Sequence, residues 1–233
     1  MERRPLLGLL ALPLAGCSIQ PLTPVPRQAL GPQERLPSWR DPVVGQSWTY
    51  RVLNMYNGEL VDTVQETVVA VAPQPTLRRR SARHGDLPDE VQSRWGDILQ
   101  DPAWDRPMVY RQALPLWPQR LEPGSRASVD TRYQPLGAGY AMWMAVQARA
   151  VAFERIDVAG MRHDTVRIQR LIRLEHEDSQ RQNYIRSDTL WLSPEIGRWV
   201  VRETNGEYWR GSPRPSQYRE DHFRWVLERW HRP

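Results

Sequence analysis

The chain has 233 residues and a formal net charge of +5, and all 32 of its basic residues are arginine. The lack of lysine excludes a P-loop lysine and a Schiff-base lysine. The only cysteine is Cys17, which leaves the rest of the chain without disulfides, thiolate metal sites or a cysteine nucleophile. The length suits one domain with a sizeable core.

The start of the chain has the layout of a secretory signal peptide. Arg3 and Arg4 precede an apolar run from Leu6 to Leu14, and small residues follow it. A positive start, a short apolar segment and small residues at the cut site are typical of such signals. The run is shorter than the roughly 20 residues that a membrane-spanning helix needs. We therefore expect residues 1–16 to be a signal peptide.

Leu14-Ala15-Gly16-Cys17 resembles the lipobox of bacterial lipoproteins. The resemblance implies that the Cys17 thiol receives a diacylglyceryl group and that the new amino terminus is acylated, which anchors the chain in a membrane. Ser18 in place of aspartate implies the outer membrane, with the domain facing the periplasm. We expect no nucleic acid there, so the positive charge suits anionic lipid, lipopolysaccharide, an acidic protein or no specific partner.

Residues 17–42 are expected to form a lipidated, proline-rich tether, and residues 43–233 a single β-rich periplasmic domain. The prolines of the tether interrupt every helix or strand pattern, and such segments are extended, at about 3 Å per residue. These prolines are Pro21, Pro24, Pro26, Pro32, Pro37 and Pro42.

The first part of the domain predicts a hairpin followed by an irregular stretch. Gln46–Tyr56 and Glu59–Ala72 alternate like strands around Asn57-Gly58, a strong hairpin signal. The stretch Pro73–Pro123 is rich in proline and looks irregular. Within it we expect a short helix over Glu90–Leu99 and a strand near Met108–Leu114.

The β pattern resumes after this stretch. Ser125–Tyr133 predicts a strand, and Tyr140–Val158 predicts a long one, with a helix over Ala141–Ala152 as the alternative. The inward face of Arg162–Glu177 switches once, which indicates a β-bulge.

The last part of the chain predicts one hairpin and one ambiguous segment. Tyr184–Leu192 and Arg198–Tyr208 form a strand pair around a Ser-Pro-Glu-Ile-Gly turn. Tyr218–Trp230 fits strand or helix, and its context favours strand. The fold class is therefore mainly β: a curved antiparallel sheet, half-barrel or sandwich, built from consecutive hairpins with at most one or two short helices.

Two segments in the second half resemble uncharacterised periplasmic β-rich lipoprotein domains. They are Glu154–Gly160 with Asp164–Ile168, and Thr189–Val200. Those domains are distantly similar to the lipoprotein carrier and receptor fold, in which a curved sheet holds acyl chains on its concave face. The resemblance spans residues 150–205 and implies a hairpin architecture without catalytic residues.

Catalytic and metal-binding patterns are missing from the sequence. The chain has no His-Glu-x-x-His motif, no histidine pair at helical zinc spacing and no Gly-x-Ser-x-Gly elbow. We therefore expect a protein that is not an enzyme and that uses neither a metal nor a cofactor.

Three groups of residues are candidates for binding. The basic cluster can dock lipid phosphate, a methionine-rich run can line a lipid groove, and tryptophans of the irregular stretch can face a partner. A solvated loop, core packing and a lid over the sheet are the respective structural alternatives. The candidates are Arg78, Arg79 and Arg80; Tyr140, Met142, Trp143 and Met144; and Trp95, Trp104 and Trp117.

The sequence thus supports a non-enzymatic outer-membrane lipoprotein whose periplasmic domain binds a partner protein or acts in envelope assembly. The alternative is a lipid or lipoprotein carrier or receptor that holds acyl chains in an apolar concavity. An exposed patch of tryptophan and arginine favours the first function, and an apolar cavity of acyl-chain size favours the second.

Overall fold

Antiparallel strands make up nearly all of the chain that the computed structural model describes, residues 22–31, 36, 38–104, 106–211 and 214–233. Cys17 and the rest of the lipobox lie outside these residues. The strands are β1 (Arg27–Ala29), β2 (Ser47–Asn54), β3 (Leu60–Ala70), β4 (Thr76–Ser81), β5 (Gly85–Arg94), β6 (Asp97–Asp101), β7 (Met108–Pro115), β8 (Arg126–Pro135), β9 (Met142–Val158), β10 (Met161–Leu174), β11 (Gln182–Ser193), β12 (Arg198–Arg210) and β13 (Ser216–His231). Over the described ranges there is no helix that could span a membrane.

The sheet closes on itself. Its order runs from β9 through β13 to β2 and on to β8, and β8 pairs again with β9. β8 and β9 are consecutive strands of one hairpin, and the ladder that joins the last strand to the first strand of the barrel is β13 with β2, from Phe223 opposite Asn54 to His231 opposite Ser47. The prediction of a mainly β, antiparallel fold is confirmed, but the prediction of a half-barrel or sandwich is wrong. The fold is a closed 12-stranded antiparallel β-barrel. Closure removes the edges that an open sheet would expose.

Strand β1 extends the sheet beyond the barrel. β9 is longer than its neighbour β8, and its free second half pairs with Arg27–Ala29 at Glu154–Ile156. The neighbouring backbone also joins it, since Leu30 N–H donates to the Phe153 carbonyl. Part of the proline-rich segment 17–42 is therefore hydrogen-bonded to the barrel.

Several predictions in the second half of the chain are confirmed. β8, β9, β11 and β12 occupy the expected segments, and Tyr218–Trp230 belongs to strand β13. The expected bulge lies between Arg167 and Ile168, where the register of β9 and β10 shifts.

The prediction of an irregular stretch at residues 73–123 is wrong, although the expected strand near Met108–Leu114 is present as β7. Four strands, β4 to β7, cross this region. The expected helix over Glu90–Leu99 is instead the end of β5, a turn at Trp95-Gly96 and most of β6. Glu90 and Gln92 point inward and are buried, so the period-2 pattern carries polar residues where apolar ones are expected.

The two ends of the barrel are formed by separate sets of turns. The Trp117 end comprises the turns 71–75, 95–96, 116–125, 159–160 and 194–197. The Tyr140 end comprises the turns 55–59, 82–84, 102–107, 136–141, 175–181 and 211–215, as far as these residues are described. Buried aromatic and aliphatic side chains fill the space between the two ends. They include Trp48, Tyr50, Leu77, Ile98, Leu114, Tyr133, Met144, Ile168 and Leu190.

A substitution at Gly206 in β12 tests how tightly side chains pack inside the barrel. A Cβ atom at this position would lie 2.6 Å from the Tyr184 hydroxyl oxygen and 3.2 Å from Glu220 Cγ. Gly206→Ala should therefore lower the free energy of unfolding by about 1–3 kcal/mol, as overpacking does. Urea denaturation measures this change. Gly139→Ala is the matched control, because nothing lies within 4 Å of its Cβ; equal stability of the two variants would contradict the packing.

Candidate functional site

A buried ion cluster surrounds Arg198 inside the barrel. Its guanidinium donates to Glu66 Oε2 at 2.8 Å and to both carboxylate oxygens of Glu90 at 3.2 and 3.0 Å. It also lies 3.8 Å from the ring centroid of Trp199. Burial alone would raise the pKa of Glu90, but the charge and hydrogen bonds of Arg198 outweigh burial and lower it. Glu90 therefore stays ionised in the interior.

A second buried ion cluster surrounds Asp188. This carboxylate accepts hydrogen bonds from Arg170 at 2.9 Å, from Arg186 at 3.0 Å and from Arg202 at 2.8 Å. The Asp188 side chain is fully buried. Burial would raise its pKa, but the positive charges of Arg202, Arg186 and Arg170 lower the pKa well below its usual range.

These clusters bear on the acyl-carrier alternative. Arg170, Asp188 and Arg198 point into the barrel and are buried. An acyl chain entering there would have to separate ion pairs that are already removed from water, and an uncompensated buried charge is strongly destabilising. The barrel interior is thus a poor place for an acyl chain, and binding sites are better sought at the ends and on the outer face.

The basic cluster does not form the expected loop. Arg78, Arg79 and Arg80 lie in strand β4, so alternate side chains point to opposite faces. Arg79 is buried, with its Nε 3.3 Å from Glu66 Oε1, whereas Arg78 and Arg80 are exposed. The three arginines therefore do not converge on one phosphate group.

The methionine-rich run is also divided between two faces. Met144 is fully buried in the core, and Met142 packs against the core from a partly buried position. Trp143 lies on the outer face, where its Nε1 donates to Asp130 at 2.8 Å. Tyr140 is half-exposed in the turn before β9, and its hydroxyl lies 3.3 Å from Glu177 Oε2. These side chains do not line a common groove.

The three candidate tryptophans separate into two groups. Trp104 lies at the Tyr140 end, where its Nε1 donates to the Tyr110 hydroxyl at 3.0 Å. Trp95 and Trp117 come together at the Trp117 end. There Trp95 Nε1 donates to the Gly197 carbonyl at 3.0 Å.

Trp95 and Trp117 line a cavity of about 520 Å³, which we call the aromatic pocket. Trp39 is a further wall residue, with its ring centroid 5.7 Å from that of Trp117. Gly96 allows this arrangement: its φ is +95°, and a Cβ there would lie 2.6 Å from the Trp117 ring. The apolar wall consists of Leu36, Trp39, Trp95, Trp117, Leu121, Phe153 and Pro194, and the polar lining of Arg94, Asp97, Gln119 and Glu122.

Sequence reasoning missed two parts of this pocket. Trp39 lies in the proline-rich segment that looks like a tether, and Phe153 lies in the middle of a long strand with no local signal. The only signal in the sequence that this segment contacts the folded domain is a large aromatic residue, Trp39, among the prolines.

Comparisons with known proteins identify the fold. No protein family model matches the chain, and no curated protein sequence matches it. A solved structure from Parabacteroides distasonis, described as a candidate lipoprotein, is 12% identical, with 85% of this chain and 100% of that chain covered and a TM-score of 0.50. A candidate exported protein with a YmcC-like fold from Bacteroides fragilis is 13% identical, with 84% and 99% covered and a TM-score of 0.53.

The chain therefore shares its fold with structures described as a candidate lipoprotein and as a candidate exported protein with a YmcC-like fold. At such low identities the similarity establishes the architecture, and function has to be argued from the surfaces of this chain.

The Asp188 cluster provides a test of the interior. Asp188→Asn should lower the free energy of unfolding by about 3–5 kcal/mol, because it leaves three buried guanidinium groups without their shared carboxylate. Urea denaturation at neutral pH measures this loss. Asp86→Asn is the control, since Asp86 is exposed and lies 3.8 Å from Arg80 Nε; its effect should stay below about 1 kcal/mol. Similar losses in the two variants would contradict the role of the cluster.

The same variant should change the response to acid. Folding lowers the pKa of Asp188, so its contribution to stability is complete above the unfolded-state pKa of about 3.9 and is lost as the pH falls below that value. The unfolding free energy of Asp188→Asn should therefore fall less steeply than that of the wild type below about pH 4. If the unfolding free energies of the variant and the wild type fell in parallel with pH, Asp188 would not be the group responsible.

Proposed function

We propose that this protein is a non-enzymatic lipoprotein of the bacterial outer membrane, anchored through Cys17, whose periplasmic barrel binds a partner protein at the aromatic pocket. The lipobox-like start of the chain and the fold shared with a candidate lipoprotein and a candidate exported protein support the location. The aromatic pocket itself is the observation that carries the binding function.

The lining of the pocket favours a protein segment as its ligand. Trp39 and Trp95 are partly buried and Trp117 is buried in the wall of the pocket. Tryptophan and arginine are enriched among the residues that dominate the energetics of protein interfaces. The rim carries charges of both signs, Arg94 beside Asp97 and Glu122. Such a rim suits a polypeptide with mixed polar groups around an apolar side chain better than it suits a long acyl chain.

The charged residues of the interior support a role other than catalysis. The carboxylates of Glu90 and Asp188 are buried and held ionised by arginines. Neither residue lines the aromatic pocket. Groups fixed in this way do not exchange protons with a ligand bound at the Trp117 end.

A photo-crosslinker can identify the partner. We would place p-benzoylphenylalanine at Gln119, on the rim of the pocket, in the full-length protein in its native envelope. The expected result is one discrete adduct with an envelope protein. The same substitution at Tyr56, exposed at the Tyr140 end, serves as the positional control and should not give that adduct.

Binding of the identified protein is then measured with purified components by calorimetry. Trp39→Ala should weaken the affinity at least 10-fold, because a tryptophan at an interface hot spot contributes about 2 kcal/mol or more. Tyr56→Ala should leave the affinity unchanged. Equal affinities for the wild type and Trp39→Ala would refute the pocket as the binding site. Phospholipid or fatty acid retained in native mass spectra, and lost in Trp39→Ala, would support the carrier function instead.

A further inference from the structure

Two arginines face each other directly on the outside of the barrel. Arg126 in β8 is the register partner of Arg149 in β9, and both side chains are exposed. Like charges that lie directly opposite each other on neighbouring strands destabilise a sheet. Within the described part of the chain, neither side chain has a carboxylate in salt-bridge distance. An unneutralised pair of this kind is a local concentration of positive charge.

Neutral hydrogen-bonding side chains continue this row across the sheet. Arg149 is the register partner of Gln169, and Gln169 is the register partner of Thr189. Together they line a groove of about 600 Å³ on the outer face, which we call the arginine groove. Its outward-facing side chains are Arg126, Ser128, Gln147, Arg149, Gln169, Leu171, Ser187 and Thr189.

The arginine groove has no free carboxylate among its described lining residues. Asp188 borders it through its backbone, but the Asp188 side chain is buried and bound to arginines of the interior. A neighbouring cavity of about 680 Å³ shares Arg126 and Ser128 and adds Arg120, while its Arg94 is paired with Asp97. Arg120 therefore extends the positive charge of this face beyond the opposed pair.

We propose that the arginine groove binds a phosphate monoester group between Arg126 and Arg149. A guanidinium presents its N–H donors as a fork that matches phosphate oxygens. A phosphate monoester carries a charge of about −1.5 to −2 at neutral pH, which balances the two opposed arginines. Ser128, Gln147 and Gln169 supply neutral donors and acceptors for the hydroxyl groups that commonly accompany such a phosphate. The phosphate can belong to a lipid headgroup or to a soluble phosphomonoester.

Calorimetry with the lipidated protein in detergent tests this proposal. The probes are glycerol 3-phosphate and short-chain phosphatidic acid, each titrated at constant ionic strength. Comparable affinity for the two probes indicates a soluble phosphomonoester as the ligand, and preference for phosphatidic acid indicates a lipid headgroup. Absence of binding by both probes would overturn the proposal.

Substitutions then assign the binding to the opposed pair. Arg126→Gln and Arg149→Gln should each weaken binding about 10-fold. Arg78→Gln, an exposed arginine on β4 whose register partner is Thr67, is the matched control and should bind as the wild type does. Undiminished binding in both groove variants would refute the site.

Thermal unfolding separates this binding role from a structural one. Without phosphate, neither groove variant should unfold at a lower temperature than the wild type, because each removes repulsion. At a saturating concentration of the probe, the unfolding temperature of the wild type should rise by several degrees, whereas that of the variants should rise little. A stability loss in the variants without phosphate would show that the pair has a structural role and would count against the proposal.

Discussion

The barrel depends on buried ion pairs, of which one cluster joins strands far apart in the sequence and another joins three neighbouring strands. Arg198, at the start of β12, reaches across the interior to Glu66 in β3 and Glu90 in β5. Asp188 joins arginines of β10, β11 and β12. Each charge is removed from water, so its stability depends on the partner being in place. The register of these strands and the closure of the barrel must be correct together.

Such clusters make a wrong register costly, because each misplaced partner leaves a buried charge unpaired. Replacing a buried ion pair by apolar residues of the same volume is often neutral or stabilising, whereas leaving one partner unpaired is costly. A strand slipped by one residue would turn Glu66 or Asp188 outward and leave arginines buried alone. The charges therefore penalise wrong registers in a barrel whose many strands offer similar pairing possibilities.

The polar interior also explains what the sequence could and could not predict. Strands such as β9 and β12 were predictable because they leave local signatures in the sequence. These signatures are the alternation of apolar and polar residues, the glycine-containing turn before β12 and the bulge between β9 and β10. The helix expected over Glu90–Leu99 was wrong because Glu90 and Gln92 face inward, where an amphipathic pattern places apolar residues. Closure could not be predicted, since it depends on the last strand, β13, pairing with β2 at the other end of the domain sequence.

The candidate site was predictable only in part for the same reason. Trp95 and Trp117 stand out in sequence, but their pairing with Trp39 depends on a segment that packs back on the barrel. Arg126 and Arg149 have no signature at all, because a cross-strand partner is visible only once the register is known. Residues that act together on a barrel surface are close through the sheet and distant along the chain.

The two proposed binding surfaces lie side by side on this barrel. Trp117 and Gln119 border the aromatic pocket and also the cavity that leads to Arg126. Arg94 lies between them, paired with Asp97. A protein segment held in the aromatic pocket would therefore approach the same positively charged face that attracts phosphate. The shared rim residues, and not the packed core and ion clusters of the interior, are therefore the direct structural connection between the two surfaces.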